Sequence, residues 1–299
     1  MRSTVPDLAD LRRRIDVIDD RLHDLLIERA EIVGAVAASK TAGGAGRDAA
    51  FYQPAREAEI LRRLAARHRG ALPFASVARI WRELLAATVG LETRFAVAVF
   101  APSGETGCWD LARDHYGSQT PMSAHHSADG VINAVNDGRA AIGVLPMPHE
   151  NEADPWWPRL LPADGSTAQV VARLPFGGRG NARDDGGDAL AIGHGFQQQT
   201  GSDRTLFAIL PGATLGRARL LRLLQSADLA CLFCAAAGHG DGTIFLIELD
   251  GFVRLADPRL ALLCAESGIA AHSLFPFGGY AVPLCSAVLS GSTAKAEPA

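Results

Sequence analysis

The longest uninterrupted apolar pattern in the chain runs from Asp7 to Lys40. Its apolar residues recur at intervals of three and four positions, at Leu8, Leu11, Ile15, Ile18, Leu22, Leu25, Ile32 and Val36. Neither glycine nor proline occurs between Asp7 and Gly34, so the pattern predicts one continuous helix. At 1.5 Å per residue such a helix is about 50 Å long, too long for the other helices of a small domain to cover. We therefore expect a partner chain to cover it.

Two shorter helices follow. Three glycines, Gly43, Gly44 and Gly46, end the first pattern, and Pro54 opens a second helix that extends to Arg67. A third helix begins near Pro73 and Ser76. Its expected buried side consists of Val77, Ile80, Trp81, Leu84, Leu85, Thr88 and Leu91. The sequence thus predicts a multidomain chain whose first unit, residues 7–92, is an all-α domain built on one long helix in an intertwined dimer.

The composition changes after residue 93, where short apolar runs alternate with helical patterns. Residues 94–200 are predicted to form an α/β region, with strands at 95–100 and 140–145 and helices at 109–116 and 128–136. Residues 203–285 are predicted to follow the order βαββαβ, with strands at 205–210, 230–236, 243–249 and 270–275 and helices at 216–227 and 258–267. Residues 286–299 are small and polar, and we expect a disordered tail.

Composition narrows the possible function classes. The 29 Lys and Arg are balanced by 33 Asp and Glu, which argues against a nucleic-acid partner. No apolar stretch reaches about 18 residues, so no membrane span is expected. The five cysteines are an odd number and no secretory signal precedes them, which indicates reduced thiols in the cytoplasm. The one CxxC, Cys231 to Cys234, lies in an apolar run, so we expect neither a metal nor a cofactor.

Three cations along the first helix indicate an anionic ligand. Arg29 and Lys40 are 11 residues apart, three turns with about 20° of drift, so they lie on one side of the helix. Arg12 precedes Arg29 by 17 residues, which places it about 100° around the same helix. It cannot converge with Arg29 within one chain, but it can do so from an antiparallel partner helix.

The second and third helices carry further polar pairs. Arg56 and Glu57 open the second helix, and Thr88 and Glu92 are four residues apart on one face of the third. With the three cations, these positions resemble the all-helical chorismate mutases. The resemblance is carried by residues 11–22, 25–29, Lys40, 54–61, 80–85, Thr88 and Glu92. It implies that the chain converts chorismate to prephenate.

The resemblance also implies a role for each site residue. Chorismate is a dicarboxylate that rearranges in one concerted step, so the site supplies geometry and charge rather than a nucleophile. Arg12 from the partner and Arg29 would bind the two carboxylates, and Lys40 would donate to the ether oxygen. Glu57 would accept from the ring hydroxyl. Supporting positions are Gln53, Arg56 and Thr88.

Glu92 departs from the family, which usually has Gln at this position. An ionised carboxylate cannot donate a hydrogen bond to the ether oxygen and would oppose the negative charge that develops there. We expect either that burial keeps Glu92 protonated, so that activity favours low pH, or that Glu92 turns away and the activity is weakened.

The rest of the chain resembles prephenate dehydratases. Residues 128–147 are similar to part of the first lobe of that family, and residues 203–284 resemble the amino-acid-sensing (ACT) domain that follows it. Two motifs depart from the family: Glu150-Asn151 comes four residues after Pro146 rather than directly, and residues 203–207 have the residue types of the catalytic Thr-Arg-Phe motif in another order.

These departures leave three hypotheses. The first is a mutase fused to a dehydratase-like region that has lost catalysis and binds an aromatic amino acid or a partner. The second is a bifunctional mutase and dehydratase. The third is a non-catalytic binding protein of shikimate-pathway enzymes.

Overall fold

The fold is given by a computed structural model that describes most of the chain. The described residues are 7–42, 52–92, 94–103, 105–161, 168–180, 183, 187–195, 197–211, 215–240 and 242–290, with only the backbone described for 40–42. The three glycines expected to end the first helix, and residues 291–299 of the expected tail, lie outside the described residues. Within the described part, no helix is long and apolar enough to cross a membrane.

The predicted long helix is confirmed as α1 (Leu8–Ala42), which has 35 residues. Every residue from Asp7 to Glu28 is exposed, including Leu22 at 54% and Leu25 at 60%. The helix α1 contacts α3 (Phe74–Glu92), and residues 29, 30, 33 and 37 in its second half are half-buried. One chain therefore leaves most of the apolar stripe of α1 in water.

The helix α2 (Pro54–Arg67) begins at the proline that predicted it. The buried face of α3, however, differs from the predicted one. It consists of Phe74, Ala78, Arg82, Leu85, Thr88 and Val89, whereas Ile80 is 56% exposed and Leu91 is 72% exposed. The prediction is confirmed for Leu85 and Thr88 and wrong for Ile80 and Leu91, because α3 also packs against α4 (Gly107–Tyr116) of the following region.

The region that follows opens with three parallel strands. Strands β1 (Val97–Phe100), β2 (Met122–His125) and β3 (Ile142–Pro146) alternate with helices α4 (Gly107–Tyr116) and α5 (Ala128–Asn136). Side chains alternate across β1, so that Val97 and Val99 share a core with α4 while Ala98 shares one with α5. The two helices thus cover opposite faces, as α/β patterning predicts.

Besides β2, two further strands escaped prediction. They are β4 (Gln169–Leu174) and β5 (Ala189–Gly193), which pair with each other and extend the sheet antiparallel from β3. A short 3-10 helix at Trp157–Leu160 precedes them and buries both tryptophans of the Pro-Trp-Trp-Pro turn.

The predicted βαββαβ order is confirmed. Its elements are β6 (Asp203–Ile209), α6 (Arg217–Ser226), β7 (Cys231–His239), β8 (Gly242–Asp250), α7 (Pro258–Ser267) and β9 (Leu274–Ala281). The four strands are antiparallel in the order β9-β6-β8-β7. The last strand was predicted four residues too early, and the expected tail begins instead with a short helix, α8 (Ser286–Leu289), whose Leu289 packs near Phe176.

The nine strands found among the described residues belong to one sheet, in the order β2-β1-β3-β5-β4-β9-β6-β8-β7. The boundary expected near residue 200 is therefore crossed by continuous pairing, and the link is the parallel contact of β4 with β9 at Val170 and Gly278. Gly278 has φ of +103°, and a Cβ there would lie 2.2 Å from the carbonyl oxygen of Val170. Only glycine fits this approach of two backbones.

Candidate functional site

The structure brings two of the predicted site residues together where α1 meets α3. Arg29 is half-buried, and among the described residues its Nη1 is a buried nitrogen with no hydrogen-bond partner. Burial lowers the pKa of Arg29, and the nearby negative charge of Glu92 raises it. A buried guanidinium nitrogen without an acceptor is costly, and an anionic ligand would satisfy it.

Glu57 lies where α2 meets α3, in a buried ion pair. Arg82 Nη1 donates to Glu57 Oε2 at 2.7 Å, and both residues are less than a tenth exposed. Burial raises the pKa of Glu57, and the charge and hydrogen bond of Arg82 lower it. The guanidinium also lies 5.2 Å from the ring centre of Phe176, which follows β4. The first turn of α2 is thus fixed against α3 and the sheet region.

The remaining predicted residues are spread over three helices. The Thr88 hydroxyl is buried and donates to the carbonyl of Leu85 at 2.8 Å, whereas Arg56 is exposed and pairs with Glu59 at 3.1 Å. Gln53 is half-buried, and the side chain of Lys40 lies outside the described part.

Arg12 is exposed on the first half of α1, about 25 Å along the helix from Arg29 at 1.5 Å per residue. Arg12 and Arg29 of one copy of the chain are therefore too far apart to bind the same small ligand. The roles implied for these residues by the resemblance stay predictions.

Sequence reasoning missed Arg82, although a signal for it exists. Arg82 interrupts the apolar stripe of α3 formed by Phe74, Ala78, Leu85 and Val89. A cation inside an apolar stripe implies a buried counterion, because an unpaired charge is not stable in a core. The identity of that counterion, 25 positions away, could not be read from the spacing.

A second candidate site lies at the C-terminal ends of β1 and β3, where parallel sheets usually bind their ligands. The space there, lined by Phe100, Cys108, Met147, His149 and Asp188 among others, has a volume of about 90 Å³. Small-molecule sites usually enclose roughly 300–1,000 Å³. Among the described residues, this crevice encloses less than that range.

The polar side chains of residues 203–207 are engaged in structural contacts. The buried Thr205 hydroxyl donates to the carbonyl of Gly251 at 2.8 Å and accepts from the amide of Val253 at 3.0 Å. Arg204 forms ion pairs with Asp250 and Glu248 on β8. These side chains fix β6 to its neighbours rather than facing a cavity.

The described residues include no group of three or more His, Cys, Asp or Glu that could hold a metal ion. Cys231 and Cys234 lie on β7, the first half-buried and the second buried, which agrees with the strand predicted there.

Comparison with known proteins identifies the helical domain. Residues 11–93 match the family model of chorismate mutase type II. The bifunctional chorismate mutase/prephenate dehydratase of Stutzerimonas stutzeri is 34% identical over 151 residues, which are 50% of this chain and 41% of that protein. The protein of the same description from Pseudomonas aeruginosa is 36% identical over 149 residues, 48% of this chain and 40% of the relative.

These matches are longer than the range 11–93, so the similarity includes part of the α/β region. The chain spans about two fifths of the length of these curated relatives.

Solved structures of prephenate dehydratases are similar at a greater distance. The enzyme from Streptococcus mutans has 14% identity and a TM-score of 0.46, covering 63% of this chain and 98% of its own. The enzyme from Arthrobacter aurescens in complex with L-Phe has 13% identity and a TM-score of 0.45, covering 64% of this chain and 92% of its own. With both TM-scores below 0.5, neither structure bears on the chemistry of this chain.

The Glu57–Arg82 pair generates a first prediction. We expect Arg82→Met to lower the free energy of unfolding by about 3–5 kcal/mol, because it leaves the buried Glu57 carboxylate without a counterion. Adding Glu57→Gln should recover part of this loss, since the amide carries no charge. The loss should also shrink as the pH falls through the raised pKa of Glu57, because the protonated carboxyl needs no counterion.

Urea denaturation measures these free energies. The matched control is Arg56→Met, which removes the exposed Arg56–Glu59 pair and should cost no more than about 1 kcal/mol. Equal losses in Arg82→Met and Arg56→Met would show that burial of the Glu57 pair contributes nothing.

Proposed function

We propose that this chain, whose residues 11–93 form a chorismate mutase type II domain, is an isomerase that rearranges chorismate to prephenate without a cofactor. The observation that carries the proposal is the buried, unsatisfied Nη1 of Arg29 beside Glu92 at the contact of α1 and α3. A carboxylate of the substrate is the acceptor that this nitrogen lacks. The family match and this local geometry support the same ligand chemistry.

The proposed mechanism needs only positioning and charge. Arg29 and the partner copy's Arg12 bind the two carboxylates and hold the compact conformer, which removes orientational entropy before the reaction. Lys40 donates to the ether oxygen. Negative charge grows on that oxygen as its bond to carbon breaks, so the ammonium group stabilises the transition state more than the substrate.

The proposed role of Glu57 is compatible with its ion pair. Arg82 binds Oε2 of Glu57, and a carboxylate offers about four acceptor positions on its two oxygens. Arg82 can therefore hold Glu57 in place and favour its ionised form while the other oxygen accepts from the ring hydroxyl. Gln53, Arg56 and Thr88 complete the proposed binding set.

The proposal requires a homodimer with shared sites. The exposed apolar stripe of α1 supplies the surface, and an antiparallel partner helix would bring its Arg12 toward Arg29. Each site would then contain residues of both copies.

We propose that the C-terminal region has no dehydratase activity. The small crevice at β1 and β3, and the structural use of Thr205 and Arg204, support this loss. The alternative is a bifunctional enzyme, as the curated relatives are described. Detection of phenylpyruvate distinguishes the two hypotheses, because only a bifunctional enzyme converts prephenate to phenylpyruvate.

A further alternative is a non-catalytic binding protein of shikimate-pathway enzymes, in which Glu92 marks a decayed site. That reading requires that chorismate is not consumed at any pH at which the protein is folded.

We assign an effector role to the C-terminal βαββαβ unit, with an aromatic amino acid as its ligand. The βαββαβ order of its elements, expected from the resemblance to an amino-acid-sensing domain, supports this assignment. L-phenylalanine or L-tyrosine should change the mutase rate at a fixed chorismate concentration, and D-phenylalanine is the control. Identical mutase rates with and without the L-enantiomers would contradict the effector role of the βαββαβ unit.

The proposed compartment is the cytoplasm. All five cysteines are free thiols, and an odd number of thiols is typical of proteins in reducing compartments.

A variant at Glu92 tests the activity directly. We expect chorismate consumption by the parent protein to fall from about pH 4.5 to pH 8, because an ionised Glu92 competes for Arg29 and opposes the charge on the ether oxygen. Glu92→Gln should flatten this profile and raise kcat/KM at pH 8 by about tenfold or more. The rate of chorismate consumption by each protein is measured from the loss of chorismate absorbance. No consumption by either protein would leave the binding-protein alternative.

A double variant on α1 tests the shared site. Leu22→Glu with Leu25→Glu should give an inactive or unfolded monomer, because repelling charges replace the apolar stripe. The control is Asp20→Lys with Asp24→Lys, whose positions each lie about 160° around the helix from Leu22 and should leave the dimer intact. Sedimentation and the chorismate assay report assembly and turnover. An active monomer would exclude a site shared between copies.

A further inference from the structure

One side chain joins α2 to both ends of the βαββαβ unit. Arg62 Nη1 donates to the hydroxyl of Thr200 at 2.7 Å, and Nη2 donates to the carbonyls of Ser202 at 2.7 Å and Val282 at 2.8 Å. Ser202 directly precedes β6, and Val282 directly follows β9. A single guanidinium thus binds the chain where it enters this unit and where it leaves it.

A buried carboxylate shapes the segment that receives Arg62. Asp203 is 2% exposed and accepts from the amide of Thr200 at 2.8 Å, the hydroxyl of Thr200 at 2.7 Å and the amide of Gly201 at 3.1 Å. Burial lowers the pKa of Arg62, while the negative charge of Asp203 raises it. These hydrogen bonds fix the turn, and the positive charge of Arg62 balances the negative charge of the buried Asp203.

The contacts of Arg62 continue to the predicted mutase site. Its guanidinium lies 5.8 Å from the centre of the Phe176 ring, and the same ring lies 5.2 Å from the guanidinium of Arg82. Arg82 in turn holds Glu57 at 2.7 Å. Arg62 and Glu57 are five residues apart on one helix, about 7.5 Å along its axis. Fixing Arg62 thus fixes the axial position and rotation of the turn that carries Glu57.

We propose that Arg62 is a positioning residue for the mutase reaction, through which the entrance and exit of the βαββαβ unit set the placement of α2. This inference rests on the proposed function. Arg62 does not touch the substrate; it acts through Glu57 and the first turn of α2. Any shift at the start of β6 or the end of β9 reaches the mutase site by this connection.

Two matched arginine variants test the proposal. Arg62→Met keeps most of the apolar stem and removes every hydrogen bond of the guanidinium, whereas Arg63→Met changes the exposed neighbour on the same helix. At a temperature where both are folded, we expect Arg62→Met to lower kcat/KM for chorismate about tenfold or more and Arg63→Met to match the parent. Arg62→Lys should recover part of the loss, because the ammonium can still bind one or two of the acceptors.

Amide hydrogen exchange gives a readout that does not depend on turnover. Exchange within residues 57–67 should quicken in Arg62→Met and stay at the parent rate in Arg63→Met. If Arg62→Met does not fold, Thr200→Val removes one acceptor of Arg62, together with the hydroxyl's own hydrogen bond to Asp203, and should show the same two effects at smaller size.

Unchanged exchange in α2 would overturn the connection itself. A lower melting temperature with unchanged kcat and KM would show a structural role alone and overturn the positioning role. A parent protein without turnover would overturn the proposed function, while the exchange measurement still decides whether Arg62 fixes α2.

Discussion

The exposed apolar length of α1 is the constraint on which the rest of the structure depends. Leu22 and Leu25 are more than half exposed in one copy, as judged from the residues that the structure describes. Burying one such side chain stabilises a protein by about 1.5–3 kcal/mol. Covering the exposed apolar side chains of α1 would therefore lower the free energy. The helix α2 contacts β9 of the sheet, and α3 contacts α4, which covers one face of the sheet. The helical domain and the sheet region are therefore not independent bodies.

Local periodicity determined what the sequence could predict. The helices α1 and α2 and the βαββαβ order follow from spacing and proline positions, and the structure has them as expected. The strands β4 and β5 and the buried face of α3 depend on partners distant in the chain, which periodicity does not report. Arg29 and Glu92 were predicted as neighbours by resemblance. Arg62 was not, because its acceptors lie 138 and more positions away and two of them are backbone carbonyls.

The region after the helical domain retains a sheet and helices like those expected of a dehydratase but uses its polar groups differently. Thr205 bonds to the backbone around Gly251, and the crevice at the ends of β1 and β3 has a volume of about 90 Å³. This region contacts α3 through α4, the first turn of α2 through Phe176 and Arg82, and the βαββαβ unit through the pairing of β4 with β9.

The parallel pairing of β4 with β9 limits how such a chain can evolve. Gly278 leaves no room for a side chain against Val170, and the pairing there joins segments that lie more than 100 positions apart. Recombination that replaced the last 80 or so residues would preserve the sheet only if the incoming strand also offered bare backbone at this point. The chain is thus less modular than its succession of domains implies, and its parts are inherited together.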